Sequence, residues 1–470
     1  MTPENYNACH LGALPRELLD CVFFDFDAIA DLARFIRTAR FVYRRYEARQ
    51  RVVLWRVLQN ELGPVLVDAQ FLDMFPYADP ADWEHYYDYM SSMAVVYQDM
   101  LKPPLHSRRG GGGGGVSGGR GSDAHHCPTL SLDELTSLCR TLRQVNFLAD
   151  AYVRAQLWSF QLGGEEVSSP DPSPTASAPS SLGAATAPLS PVERRRVLLA
   201  FYRRQIVSNA WASTRRAGYW VEEDLAAISG TGEERGTPLG LMSVLESWEN
   251  QQIDHANVFI IRLCLALVRC ARTTRSTRPL WGVDFSDAYS HQDCLADYLR
   301  ANPALTEKAL RTMAALVTRA AGLENDDLIT MDLDEDGHRH HSLFDECVSK
   351  WRLMPLLHAW QMDRAHTYPE SLIYRWERDG KEVKYTGDAV ELPPFAWIDG
   401  LEGNFVNWYG ESLNDIPRFA LRDGAKNRAR HRTSMLWRCA GFALWDRERV
   451  ESLKKMEWLK TARTGWVLGV

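Results

Sequence analysis

The chain has 470 residues, 45% hydrophobic and 24% charged, a globular composition long enough to bury a core and to hold two or more domains. Its formal net charge of −7 and pI near 6.0 argue against wholesale nucleic-acid binding, which needs a basic footprint. The most apolar stretch, Val258 to Val268, is cut by Arg262 and bounded by Arg269, well short of the roughly 20 residues a membrane span requires. No basic segment followed by an apolar run opens the sequence, and its nine cysteines include no C-x-x-C pair. Neither a disulfide framework nor a zinc ribbon is indicated, and reduced thiols in cytosol or nucleus are the expectation.

The first elements crowd into Leu14 to Leu62. Pro15 suits the first turn of a helix, where its missing N–H is no loss, and Leu14, Leu18, Leu19, Val22 and Phe23 then recur on one side. Asp25 and Asp27 interrupt the pattern, and Asp27 is the expected N-cap of a second helix presenting Ile29, Leu32, Phe35 and Ile36. A third helical turn is expected at Phe41 and Tyr43. A fourth helix carries Val53, Leu54, Val57, Leu58 and Leu62 and stops at Gly63-Pro64.

The ordered run Leu14-Pro15-x-Glu17-Leu18-Leu19, Val22-Phe23, Asp31-Leu32 and Ala39-Arg40-Phe41 resembles an F-box, a helical module that docks on the Skp-type adaptor of cullin ubiquitin ligases. The resemblance implies that Leu14, Pro15, Leu18, Leu19, Val22, Phe23 and Leu32 bind a Skp-family adaptor. Phe24, Phe26 and the acidic Asp25-Phe26-Asp27 turn depart from the family pattern. The run from Leu54 to Leu66, with Gly441 to Arg449, is similar to a group of functionally obscure fungal F-box-like proteins, a likeness that names no substrate.

Further along, Asp79-Pro80 is the expected start of a helix running through Trp83, Tyr86, Tyr87, Met90, Met93, Val96 and Tyr97. Residues 103–129, with an unbroken Gly110 to Gly115, and the Ser/Pro/Ala-rich residues 163–189 read as disordered insertions, because neither buries enough surface to offset ordering. Such segments serve equally as linkers. Between them, Ser131 to Glu134 has capping-box form and opens a helix with Leu135, Leu138, Leu142, Val145 and Ala149 on one face. After them, Ser190-Pro191-Val192-Glu193 is a second capping box, opening a helix through Val197, Leu198, Phe201, Ile206 and Trp211. Arg194 to Arg196, Arg203, Arg204, Arg215 and Arg216 make this region basic, and a solvated helix face is expected.

A long helical pattern follows at Leu241, Leu245, Trp248, Gln252, Ala256, Phe259, Leu263, Leu267 and Cys270. Helices are also expected after Asn302-Pro303 and from Leu343 to Trp360. Only Ile373 to Trp376, Val383 to Tyr385 and Phe395 to Ile398 look strand-like, enough for a small hairpin at most. The dense apolar residues from Met435 to Leu459 predict that this end docks on the body.

Chemistry-bearing constellations are few. Asp332-Leu333-Asp334-Glu335-Asp336-Gly337 begins like a calcium loop, but its twelfth position is Leu343 where a bidentate Glu is needed. His338, His340 and His341 are too compact to converge readily on one zinc ion, and His125-His126-Cys127 lies in the glycine-rich tract. No phosphate loop, nucleophile elbow, zinc-protease helix or dinucleotide fingerprint is present. The expectation is therefore a non-catalytic, mainly α protein with no metal or cofactor. A helical F-box-like domain at 1–66 is joined to a larger helical body at 67–470, the first holding an adaptor of a cullin ligase and the second an unknown protein substrate. The alternatives are a helical interaction protein outside any ligase and, with less support, a metal-dependent protein.

Overall fold

The computed structural model describes residues 14–75, 86–102, 130–165, 181–210, 240–246, a set of helical positions between 248 and 263, 385–401 and 441–455. These residues are mainly α-helical, and none of them lies in a strand. The helices are α1 (Arg16–Phe24), α2 (Ile29–Phe35), α3 (Arg40–Leu62), α4 (Leu66–Met74), α5 (Tyr86–Leu101), α6 (Leu132–Glu165), α7 (Ser181–Thr186), α8 (Pro191–Ala210), α9 (Phe395–Leu401) and α10 (Arg447–Lys454). Contacts divide the chain into two compact units: residues 1–74 with 99–143, and residues 75–98 with 144–470. No helix of the described residues is long and apolar enough to cross a membrane.

In the first unit α1 and α2 pack on α3. Its core holds Leu19, Phe23, Leu32, Val42, Tyr46, Val53, Val57, Leu58 and Leu62, and Phe23 meets the ring edge of Phe35 at 5.7 Å. The third turn and fourth helix expected from sequence are one helix, kinked at Arg49, whose φ of −131° and ψ of 18° are not helical. Gly63 ends it at a positive φ of 52°, a region open to glycine. The Ser131 box forms as expected: Glu134 returns a carboxylate oxygen to the Ser131 N–H at 2.6 Å and its own N–H donates to Ser131 Oγ at 3.2 Å.

The second unit is built around α8. Every residue from Arg196 to Val207 is buried, so the helix is enclosed on all sides rather than presenting one face. This corrects the expectation of a solvated basic face for Arg196, Arg203 and Arg204, while Arg194 is exposed. Arg196 is fully buried and donates to Asp446 Oδ1 and the Ala389 carbonyl, both at 2.9 Å, while Arg203 pairs with Glu249 at 2.7 Å. Arg215 and Arg216 lie outside the described residues. Beside α8, Trp445 is fully buried, stacked on Tyr152 at 6.0 Å, and Tyr152 meets Phe259 edge-on at 5.2 Å. Gly441 sits here at φ 71°, and a Cβ on it would stand 2.1 Å from the Tyr152 hydroxyl, so only glycine fits.

Two further expectations change. Phe395 to Ile398 is not a strand: Pro393 and Pro394 precede α9, and the Trp397 and Ile398 N–H groups donate back to the Pro394 carbonyl. Proline at a helix start presets the backbone for the helix, and that outweighs the aromatic and β-branched content of the short run. Trp397 packs edge-on against Trp248 at 5.4 Å with Ile398 beside it. The other strand-like runs lie outside the described residues, apart from Tyr385, which is not in a strand.

The expected insertion 163–189 is described at both flanks. Residues 163–165 finish α6, and residues 181–190 form α7 and an ordered approach to α8. That approach is held by Arg449 of α10. Its guanidinium donates to the carbonyls of Ala185 (2.6 Å), Ala187 (2.9 Å) and Pro188 (3.1 Å). It also forks onto Glu193, Nε to Oε1 at 2.8 Å and Nη2 to Oε2 at 3.0 Å. Hydrogen bonding to one buried charge thus orders a stretch poor in apolar side chains. Residues 103–129 lie outside the described residues. Because Arg449 and Glu193 are 4% and 2% exposed, Arg449→Met should leave an unpaired buried carboxylate and cost on the order of 3–5 kcal/mol, read as a lower midpoint in chemical denaturation.

Candidate functional site

The residues picked out at the start of the chain fall into two groups on α1 and α2. Pro15 precedes α1 as its N-cap, and its carbonyl accepts from the Leu18 and Leu19 N–H groups at 3.1 Å. Leu18 is 49% exposed, Pro15 is exposed, and Leu14 and Val22 are half-buried. Leu19, Phe23 and Leu32 are instead core, at 5%, 0% and 2% exposure. The apolar side of α1 read from periodicity is therefore two adjoining strips, one facing α3 and one left accessible.

A charge sets which strip faces inward. Asp20 is buried beside the inward strip, on its side away from Leu18, and accepts from Arg45 Nε at 2.8 Å, from Arg45 Nη2 and from Arg49 Nη1, so two guanidiniums of α3 grip one carboxylate of α1. Arg49 also lies over the Phe24 ring at 5.5 Å. The kink in α3 falls at the residue that makes both contacts. Burial alone would raise the Asp20 pKa, but the hydrogen bonds and charges of Arg45 and Arg49 outweigh it and hold the carboxyl below its usual range.

The turn between α1 and α2 is held by residues at the end of α3. Asp27 is exposed and does not cap α2; Ala28 holds the N-cap position, and the Ile29 N–H is satisfied by Glu61 Oε2 at 2.7 Å. A long-range carboxylate has taken the role expected of the local one. Asn60 then donates to the Phe24 and Phe26 carbonyls at 2.9 Å, so the acidic turn between α1 and α2 is tied down by two residues at the end of α3. Phe24 and Phe26 are half-buried, and Phe26 packs on Phe35 at 5.2 Å.

Burial pushes the Cys139 thiol up to about 12, leaving it protonated at neutral pH, and Cys21 on α1 is exposed. Among the described residues no group of His, Cys, Asp and Glu is placed to hold a metal ion. Asp332 to His341, Leu343 and His125 to Cys127 lie outside the described residues. The chain matches no protein-family model, no curated protein and no solved structure.

The two strips respond differently to truncation. Leu19→Ala should cost on the order of 2–5 kcal/mol, the range for a buried leucine, whereas Leu18→Ala should stay within about 0.5 kcal/mol of wild type in a denaturation series. The Asp20 clamp sets a pH dependence. A depressed carboxyl contributes stability above its unfolded pKa and loses it as pH falls through the folded value. The stability gap between wild type and Asp20→Asn should therefore hold above about pH 4 and close on further acidification.

Proposed function

We propose that the first unit is an F-box-like docking module, with Leu14, Pro15, Leu18 and Val22 meeting a Skp-family adaptor while Leu19, Phe23 and Leu32 hold α1 and α2 on α3. The observation that carries this reading is the 49% exposure of Leu18 on a helix whose neighbouring residues Leu19 and Asp20 are buried. A large apolar side chain beside an exposed proline is the kind of anchor on which binding energy concentrates. Fixing α1 through Asp20 favours recognition further, because a preorganised face spends less of its binding energy on ordering. The larger unit, on this reading, holds a protein target for a cullin ligase, and the protein acts in cytosol or nucleus as a receptor with no catalysis of its own.

A second reading is favoured by the burial of Leu19, Phe23 and Leu32: the opening helices are an ordinary core layer of a helical interaction protein that joins no ligase. The two readings part at the accessible strip. Wild-type protein incubated with a purified Skp-type adaptor should retain it, and the Leu14→Ala/Pro15→Ala variant should lose it with a melting temperature close to wild type. Failure of the folded wild type to retain any adaptor removes the ligase reading and leaves the second.

A further inference from the structure

Between Arg34 and Arg56 the sequence holds eight arginines and a single acid, Glu47, within a chain whose net charge is −7. The structure sorts them. Arg45 and Arg49 are spent on Asp20, and Arg34 is paired with Asp31 at 2.7 Å. Arg37, Arg40 and Arg44 are exposed, and among the described residues none of them makes an ion pair. Arg40 and Arg44 are one turn apart on the same side of α3, and Arg37 stands in the turn just before it. Two aromatic side chains break this basic surface: Phe41 is 37% exposed and Tyr43 is 49% exposed. No acid stands in the first turn of α3 to offset the arginines, and Glu47 bounds the face one turn beyond Arg44.

Exposed arginines hold carboxylates in a planar two-point fork, and exposed aromatic rings beside them give an apolar half-site at low entropic cost. From this arrangement we propose that the face made by Arg37, Arg40, Phe41, Tyr43 and Arg44 binds an acidic peptide segment of a partner protein, one that carries apolar side chains among its carboxylates. Charge complementarity selects the class. The face is short: Arg40 and Arg44 stand about 6 Å apart along α3 at 1.5 Å per residue, which matches about two residues of an extended peptide at 3.3 Å each. A nucleic-acid strand would run past it onto a molecule of net negative charge, whereas a short acidic segment ends where the arginines end. These residues belong to α3 and the turn before it, whereas Leu14, Pro15, Leu18 and Val22 belong to α1 and its start, so the two proposals are tested on different residues.

The test uses the full chain and a fluorescein-labelled ten-residue peptide of alternating glutamate and phenylalanine, followed by anisotropy at low salt, with a labelled ten-nucleotide oligothymidylate as the second arm. Saturable peptide binding is expected, weakened at least about tenfold by Arg40→Glu/Arg44→Glu and also by raising the salt. Phe41→Ala/Tyr43→Ala should weaken it separately, by about threefold or more, with less change in salt dependence. All four substitutions are at exposed positions, so melting temperatures should stay near wild type. If the charge reversal disturbs folding, Arg40→Gln/Arg44→Gln replaces it. Absence of saturable binding, equal affinity in the arginine variants, or tighter binding of the oligonucleotide than of the peptide would each overturn the proposal.

Discussion

The second unit depends on one buried ion pair. Glu193 is the last residue of its capping box, and its carboxylate accepts four hydrogen bonds: from the Ser190 N–H, the Asp446 N–H, and Arg449 twice. That uses the full acceptor capacity of a carboxylate, and Arg449 in turn spends its donors on Glu193 and the carbonyls before α8. A buried pair stabilises only when every remaining lone pair and proton is satisfied, and here the condition is met. The consequence is architectural. The start of α8, the approach at 181–190 and the segment at 441–455 become a single polar assembly, joined by the Ser190 hydroxyl on Asp446 and by Arg196 reaching both Asp446 and the Ala389 carbonyl. Gly441 lets the chain reach Trp445 past Tyr152, and Trp445 then fills the space beside α8 under a stacked aromatic ring.

What the sequence made legible follows the distance over which each signal acts. Both capping boxes formed as expected, because donor and acceptor lie three residues apart and need nothing else. The apolar periodicity of α6 holds residue for residue: Leu135, Leu138, Leu142, Val145 and Ala149 are all at 1% exposure or less. The arginines of α8 misled for the converse reason. The partners of Arg196 and Arg203 are Asp446, the Ala389 carbonyl and Glu249, dozens to hundreds of positions away, and a basic helix whose one acid is already engaged in its capping box looks solvated until those partners arrive. The approach at 181–190 misled in the same way. Its alanines, serine and proline bury little area, and what orders it is backbone hydrogen bonding to a side chain far along the chain.

The candidate docking site was legible as a set of residues and not as a surface. Periodicity places Leu14, Leu18, Leu19, Val22 and Phe23 on one side of α1, but a helix side wide enough to carry all five must divide once one neighbour, α3, covers part of it. The residue that fixes which part turns inward is Asp20, which the apolar pattern passes over. Its role becomes visible only when Arg45 and Arg49 stand opposite, and those arginines belong to a helix whose kink, at Arg49, no propensity rule announces. Asp27 shows the limit of capping rules from the other side: the local residue type was suitable, yet Glu61 reaches the same N–H and the local carboxylate stays in solvent.

The two units use arginine in opposite ways, and the contrast bears on where recognition can occur. In the second unit Arg196, Arg203 and Arg449 are drawn inward, each carrying its charge to an acid that the fold supplies, so they contribute specificity of packing and little surface potential. In the first unit one acid, Asp20, engages two arginines of α3, and one more, Asp31, engages Arg34. Arg37, Arg40 and Arg44 remain exposed, with no ion pair among the described residues. Charge left over in this way has no role in holding α1 to α3, since that contact is already fixed by Asp20, Phe23 and Tyr46. Solvated, it costs little and stabilises little. Its physical effect is outward: positive charge concentrated beside exposed Phe41 and Tyr43, on a molecule whose net charge is negative, raises the encounter rate of anionic groups at that face.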